Sequence, residues 1–374
     1  MASTVSPQSV RSILAHCFRV LWLLLLLLAL TGCSASSGEK QIFPICMSMD
    51  RLEDGRLQLA VQVSDMSGEK ATEYTVFVAA GDSFGQTLEI LGASMPYPLH
   101  FGQLRLCLVE YELAAQEELQ ALLEPVSQLY TINPETAVMV CMGDAAKTMA
   151  AQKPDLGVRL STYLDQLLAR LRQEKLAPPE TLRDVMSMLR SGYRDPLLGL
   201  CAVNAATGPD DAAGGGGESG HSSGGGGESQ AAFNPTGSIA IGEPSPGDNL
   251  PAELTAGSLP RKGGNPVEYI GCATVGKGRV TGTLTALETR LGLTLREAAT
   301  ISGVTSSGAQ VQLPRDSRIP LAEAVQLVTK WQLLRCDALG VIAAAARETR
   351  SDADFTAFYK NLEPSAITLT ITYR

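Results

Sequence analysis

The residue of this chain best placed for covalent chemistry is Cys33, in the run Leu30-Thr31-Gly32-Cys33. It follows an unbroken apolar stretch, Leu21 to Leu30, which itself follows Arg11 and Arg19. A basic segment, a short apolar segment and small residues at a cut site make up a secretory signal peptide. A cysteine directly after Gly32 gives the pattern of a bacterial lipobox, in which the thiol is acylated and the cysteine becomes the first mature residue. The apolar run is about ten to twelve residues, well short of the ~20 that a spanning helix needs. We therefore expect a lipoprotein signal peptide over residues 1–32, lipidation at Cys33, a Ser-, Ala- and Gly-rich tether over 33–40, and a body held to a membrane outside the cytoplasm. An ordinary signal peptide with a coincidental cysteine is the alternative.

Other reactive residues are sparse. Beyond residue 32 there are two histidines, His100 and His221, and His221 lies in a glycine-rich stretch. A histidine triad or histidine metal site is hard to assemble from these. No G-x-S-x-G, H-E-x-x-H, or S-x-x-K with its partner motifs occurs in the sequence. Asp54-Gly55 beside Glu53 lacks the spaced acids and distal Glu of a calcium loop and reads as a hairpin turn joining Met49 to Leu57. His100-Phe101-Gly102 precedes an inner strand, a common place for a site residue, yet a turn-bound packed histidine is the favoured reading. Glu117-Glu118 falls on a helix and is expected to face solvent. Six cysteines follow Cys33, namely Cys46, Cys107, Cys141, Cys201, Cys272 and Cys336, with no C-x-x-C pair. That spacing excludes zinc ribbons and thioredoxin-like motifs. Most sit in apolar runs and read as small buried hydrophobes; an exported protein could oxidise some of them, but spacing cannot pair them. No catalytic, cofactor or metal residue is assigned.

The formal net charge of −9 argues against nucleic acid as a partner and against electrostatic adhesion to anionic lipid. An acyl anchor would act without a polybasic helper.

The elements that must carry these residues are legible from periodicity. Leu57, Leu59, Val61 and Val63 alternate with smaller or polar residues, and Tyr74 to Ala79 continues as a second strand. Asp82 or Ser83 caps a helix whose Phe84, Leu88 and Leu91 share a face. Leu104 to Tyr111 and Thr136 to Met142 are apolar runs suited to strands covered on both faces. A helix is expected from about Ala114 to Leu129, kinked or divided at Pro125. Asp144 caps Ala145 to Ala151, Leu160 to Leu171 is amphipathic, and Leu182 to Leu189 follows the breaker Pro178-Pro179. Strands alternating with helices define an N-terminal α/β domain over 41–202.

Residues 203–265 differ in kind. Gly214-Gly-Gly-Gly-Glu-Ser219 recurs as Gly224-Gly-Gly-Gly-Glu-Ser229, and Gly, Ser, Ala, Pro and Asp dominate. Such a segment cannot bury enough apolar surface to offset its ordering entropy. No strand and helix flank the glycines and no Gly-Lys-Ser/Thr follows, so a phosphate loop is disfavoured. We expect a disordered linker whose span of roughly 40–45 Å lets two folded halves stand apart. The second half, 266–374, opens with a β-hairpin about Gly276-Lys277-Gly278. Helices follow at Leu287 to Ala298, Leu321 to about Thr349 and Asp352 to Leu362, and Ile367 to Tyr373 alternates as a strand. The expected class is α+β (mixed α/β): two mixed-sheet domains joined by a long Gly-rich linker.

With these segments placed, the chain resembles the Ger(x)C family, the lipoprotein C subunits of spore germinant receptors. The lipobox is followed by a strand ending near Ser48-Met49-Asp50, and Met95-Pro-Tyr-Pro-Leu-His-Phe-Gly-Gln-Leu-Arg-Leu106 resembles the family's proline-aromatic segment. Pro134-Glu135-Thr136 to Met142, then Ala145 to Pro154, resembles its next strand and helix. Gly271-Cys-Ala-Thr-Val275, Glu288-Thr-Arg-Leu-Gly292 and Cys336-Asp337-Ala-Leu-Gly340 resemble segments of its C-terminal half. The glycine-rich stretch looks like an insertion, and the region between Gly292 and Leu321 looks shorter than the family's third domain, so the C-terminal domain looks reduced.

The resemblance implies a non-enzymatic receptor subunit required for spore germination. It would be lipid-anchored at Cys33, by palmitate or a like chain, on the outer face of the spore inner membrane. Its partners would be the integral-membrane A and B subunits. No catalytic residues transfer. The competing reading is a solute-binding lipoprotein of a membrane transporter, and an exported hydrolase fits least well.

Overall fold

Eight strands, drawn from both sides of the glycine-rich stretch, hydrogen-bond into one sheet. The computed structural model describes residues 16, 18–23, 41–64, 74–153, 158–178, 180–204, 254–261, 263–305, 308–349 and 367–374. Residues 1–41 and 42–374 are two separate units. In the first, residues 18–23 are helical. Among the described residues, no helix is long and apolar enough to cross a membrane.

In the second unit β1 (Pro44–Arg51), β2 (Leu57–Ser64) and β3 (Tyr74–Gly81) form an antiparallel meander. Gly55 at φ +85° makes the first turn, where Asp54 accepts from Arg56 N at 3.0 Å, so the expected hairpin is present. The helix α1 (Phe84–Ala93) follows, with Ser83 accepting from Gln86 N at 3.3 Å as its cap. Strands β4 (Leu106–Glu110), β5 (Ala137–Cys141) and β6 (Leu197–Val203) then run parallel to β1. Their short apolar runs are buried except at Val203, the last residue of β6, as a parallel sheet covered on both faces requires. The connections carry α2 (Tyr111–Gln116), α3 (Leu119–Ser127), α4 (Ala145–Ala150), α5 (Leu160–Gln173) and α6 (Leu182–Ser191).

The helix expected over 114–129 breaks earlier than Pro125. It divides at Glu117-Glu118, where Leu119 N donates to Gly278 O at 2.8 Å, and Pro125 sits inside α3.

From the sequence no element is expected at residues 197–203, and the hairpin β7 (Val267–Gly276) and β8 (Arg279–Leu284) is expected in a separate body. In the structure β6 and β7 are antiparallel neighbours with Val203 opposite Val267, and the sheet order is β3-β2-β1-β4-β5-β6-β7-β8. The expectation of halves standing 40–45 Å apart is thereby corrected, because the chain returns beside the point from which it left. A ten-residue strand buried along its whole length cannot be covered by a hairpin alone and must enter a larger sheet. Residues 205–253 lie outside the described residues, as does the helix expected at 352–362.

A second, mixed sheet has the order β11-β10-β9, from β9 (Thr300–Ser302), β10 (Gly308–Leu313) and β11 (Thr368–Tyr373). The last strand appears where its alternation places it, parallel to β10. This sheet packs with α7 (Ala286–Ala298) and α8 (Leu321–Leu333) around Val311, Leu327, Trp331 and Ile371. Leu197, Cys272 and Leu284 of the large sheet belong to the same core. The long helix expected over 321–349 divides into α8 and α9 (Val341–Thr349) at a turn holding Arg335 at φ +56° and Gly340 at φ +75°. The class is α+β.

Candidate functional site

Cys33 lies outside the described residues, and so does His221. His100 caps the short turn Phe101–Gln103, where its Nδ1 accepts from Gly102 N at 3.4 Å, and its ring lies 5.1 Å from that of Phe43. It is the turn-bound packed histidine. Glu117 is not simply solvated, since it pairs with the Arg51 guanidinium. Among the described residues, no group of three or more His, Cys, Asp or Glu is arranged to hold a metal.

In an open α/β sheet, ligands gather at the carboxyl ends of the parallel strands. Here that edge carries a continuous register row. Glu110 lies opposite Cys141, Cys141 opposite Cys201, and Cys201 opposite Tyr269, while Asp50 is the penultimate residue of β1 on the same edge. The carboxylates are already engaged. Asp50 is buried and accepts from the Ala145 and Ala146 amides, the latter at 3.1 Å, so it fastens the start of α4 to β1. Burial pushes its carboxyl up to about 6, against the two amides, which lower it. Glu110 accepts from Arg51 N at 2.9 Å. Asp144 caps α4 through Lys147 N at 2.8 Å, as its sequence position predicts.

The six described cysteines are free and buried. Burial pushes the Cys107 and Cys272 thiols up to about 12 and raises Cys46 and Cys336 as well. The neighbouring Cys141 thiol, then burial, raises Cys201. A thiol held protonated is neither nucleophile nor metal ligand.

Two further buried acids are structural joints. Asp337 N donates to Asp195 Oδ2 at 2.7 Å, and Asp195 N donates to the Asp337 carbonyl at 3.0 Å. The Asp337 carboxylate also accepts from Val341 N and Ile342 N at 2.8 Å, capping α9. Burial, then the charge of Asp195, pushes the Asp337 carboxyl up to about 7 despite those amides.

Glu268, whose side chain is 0% exposed, accepts from Asn204 Nδ2, Gly257 N at 2.8 Å, Leu259 N at 3.2 Å and Arg261 Nε at 3.0 Å. It ties the residue at which the chain leaves β6 to the segment by which it returns. Asn204 N donates to Pro266 O at 2.9 Å and closes the same neck.

Sequence reasoning missed Asp50, Asp195, Glu268 and Asp337. The available signal is a lone acid inside an apolar strand, as in Met49-Asp50 and Val267-Glu268, because such an acid survives burial only with several donors.

Residues 38–203 match the family model described as the spore germination protein N-terminal domain. A crystal structure of the GerBC protein is similar to this chain with a TM-score of 0.38 and 9% sequence identity, covering 87% of this chain and 95% of that chain. No curated protein matches.

Proposed function

This chain belongs to the Ger(x)C family of spore germinant receptor C subunits, and from that premise we propose that it acts as a lipid-anchored, non-enzymatic interaction subunit of a germinant receptor. The family match over residues 38–203 carries this reading. Three further observations support it. The lipobox at Cys33 supplies a place for an acyl chain. The buried acids are consumed in holding chain segments rather than left to move protons. Five of the six buried thiols are pushed toward the protonated state.

In this reading acylated Cys33 holds the body on the outer face of the spore inner membrane, where integral-membrane A and B subunits are its partners. The alternative of a transporter's solute binder requires two lobes closing about a short hinge. It loses support here, since β7 and β8 from beyond the glycine-rich stretch complete the first sheet.

The test is deletion of the gene in a strain with no redundant receptor, followed by a nutrient-germination assay. Loss of germination that returns with the intact gene is the expected result. Normal germination by the deletion strain would sink the reading.

A further inference from the structure

An open cleft of about 390 Å3 lies beside the neck that Glu268 fastens, walled by α5, the return segment, β7 and Arg290 of α7. That volume is within the range of small-molecule sites. Two donors that line it have no acceptor. Tyr269, only 6% exposed, has a buried Oη without a hydrogen-bond partner. Arg290 has a buried Nε in the same condition.

An unpaired buried donor carries its full desolvation cost, and native folds hold few of them. Two in one cleft point to something that arrives from outside. The other polar groups sharpen its chemistry. Tyr163, which also lines the cleft, accepts at Oη from Asn265 Nδ2 at 2.8 Å, a bond that does not use its own hydroxyl hydrogen. Glu268 on the wall is saturated by its four donors, one of them Arg261. Leu167, Leu176 and Ile270 supply an apolar lining. Unpaired donors beside apolar walls suit acceptor oxygens carried on an apolar body.

We propose that this cleft binds a small organic carboxylate, with Tyr269 Oη and Arg290 Nε as donors to its oxygens. The assignment is independent of the germinant-receptor reading, because it rests on the cleft alone.

Benzoate, a carboxylate on a flat apolar body, is the probe, titrated calorimetrically into the full mature chain. Inorganic phosphate is the second titrant. Saturable benzoate binding is expected, weakened about tenfold or more by Tyr269→Phe and by Arg290→Gln, the loss of a charge-assisted hydrogen bond in each case. Tyr269→Phe removes only an unpartnered hydroxyl, so the unfolding midpoint of the ligand-free protein should hold or rise. Absence of saturable benzoate binding overturns the proposal. So does binding that ignores both substitutions, phosphate binding in preference to benzoate, or a lower midpoint in Tyr269→Phe, which would make the hydroxyl a structural group.

Discussion

Asp195 and Asp337 clasp one another through main chain and side chain at once, with Asp337 N on Asp195 Oδ2 at 2.7 Å and Asp195 N on the Asp337 carbonyl at 3.0 Å. The contact joins the approach to β6 in the large sheet with the turn between α8 and α9 beside the small one. It places two carboxyl groups together out of water, with the amides of α9 holding the second.

That arrangement fixes a pH dependence. The Asp337 carboxyl is raised from 3.8 to about 7, so between those values the folded protein holds a proton that the unfolded chain has released. Stability contributed here is full below the lower value and falls as pH rises through the window. Asp50, raised to about 6, acts in the same direction over the lower part of it. Asp195→Asn keeps an oxygen acceptor for Asp337 N and removes the like charge. Urea unfolding at about pH 4.5 and about pH 7.5 should show a smaller decline in the variant and a higher midpoint at the upper pH. An unchanged decline would mean that the two carboxyls do not sense each other.

Glu268 should be among the most sensitive positions. Glu268→Ala leaves four donors without their acceptor and is expected to cost about 3 kcal/mol or more. Denaturant unfolding measures the loss, and limited proteolysis should show faster cleavage over residues 254–265. Glu268→Gln, which keeps an acceptor oxygen, should be milder on both counts.

Gly340 sits at φ +75°, and a Cβ there would lie 2.4 Å from the Tyr193 carbonyl oxygen. Gly340→Ala adds left-handed strain to a backbone clash, for an expected loss of about 2–4 kcal/mol. A loss under half a kcal/mol, read from unfolding curves, would show that the 193–195 and 336–340 segments do not interlock as described.

Replacing residues 205–253 with a short turn should leave the body folded, because β6 and β7 are already antiparallel neighbours. Shortening the closed loop should add about 2 kcal/mol by loop-closure entropy. A chain nicked inside the same stretch should elute as one species in native buffer and as two in denaturant. Separation of the pieces without denaturant would restore the picture of two independent halves.

Cys33→Ala should release the protein from membranes, since acyl chains supply the binding in the proposed function. Membrane pelleting before and after a salt wash is the measurement. A variant that still pellets is held by protein contacts instead.

Much of the architecture can be read from residue order. The alternation from Leu57 to Val63, the Asp144 and Ser83 caps, the hairpin at Lys277 and the final strand each follow from interactions within a few residues. Helix breaks were less legible. Pro125 is tolerated inside α3, while the real division at Glu117-Glu118 answers to a hydrogen bond that Leu119 N donates to the carbonyl of Gly278, far along the chain.

Sequence by itself determined the lipobox pattern, the family resemblance, the α+β class and the sparseness of histidine, because each is a property of local order or composition. Only the tertiary structure decided that strands on both sides of the glycine-rich stretch share a sheet, that Asp195 meets Asp337, and that Tyr269 and Arg290 line one cleft. Those outcomes depend on which distant backbone edge offers hydrogen bonds and which buried acid finds donors. Spacing along the chain carries no record of either.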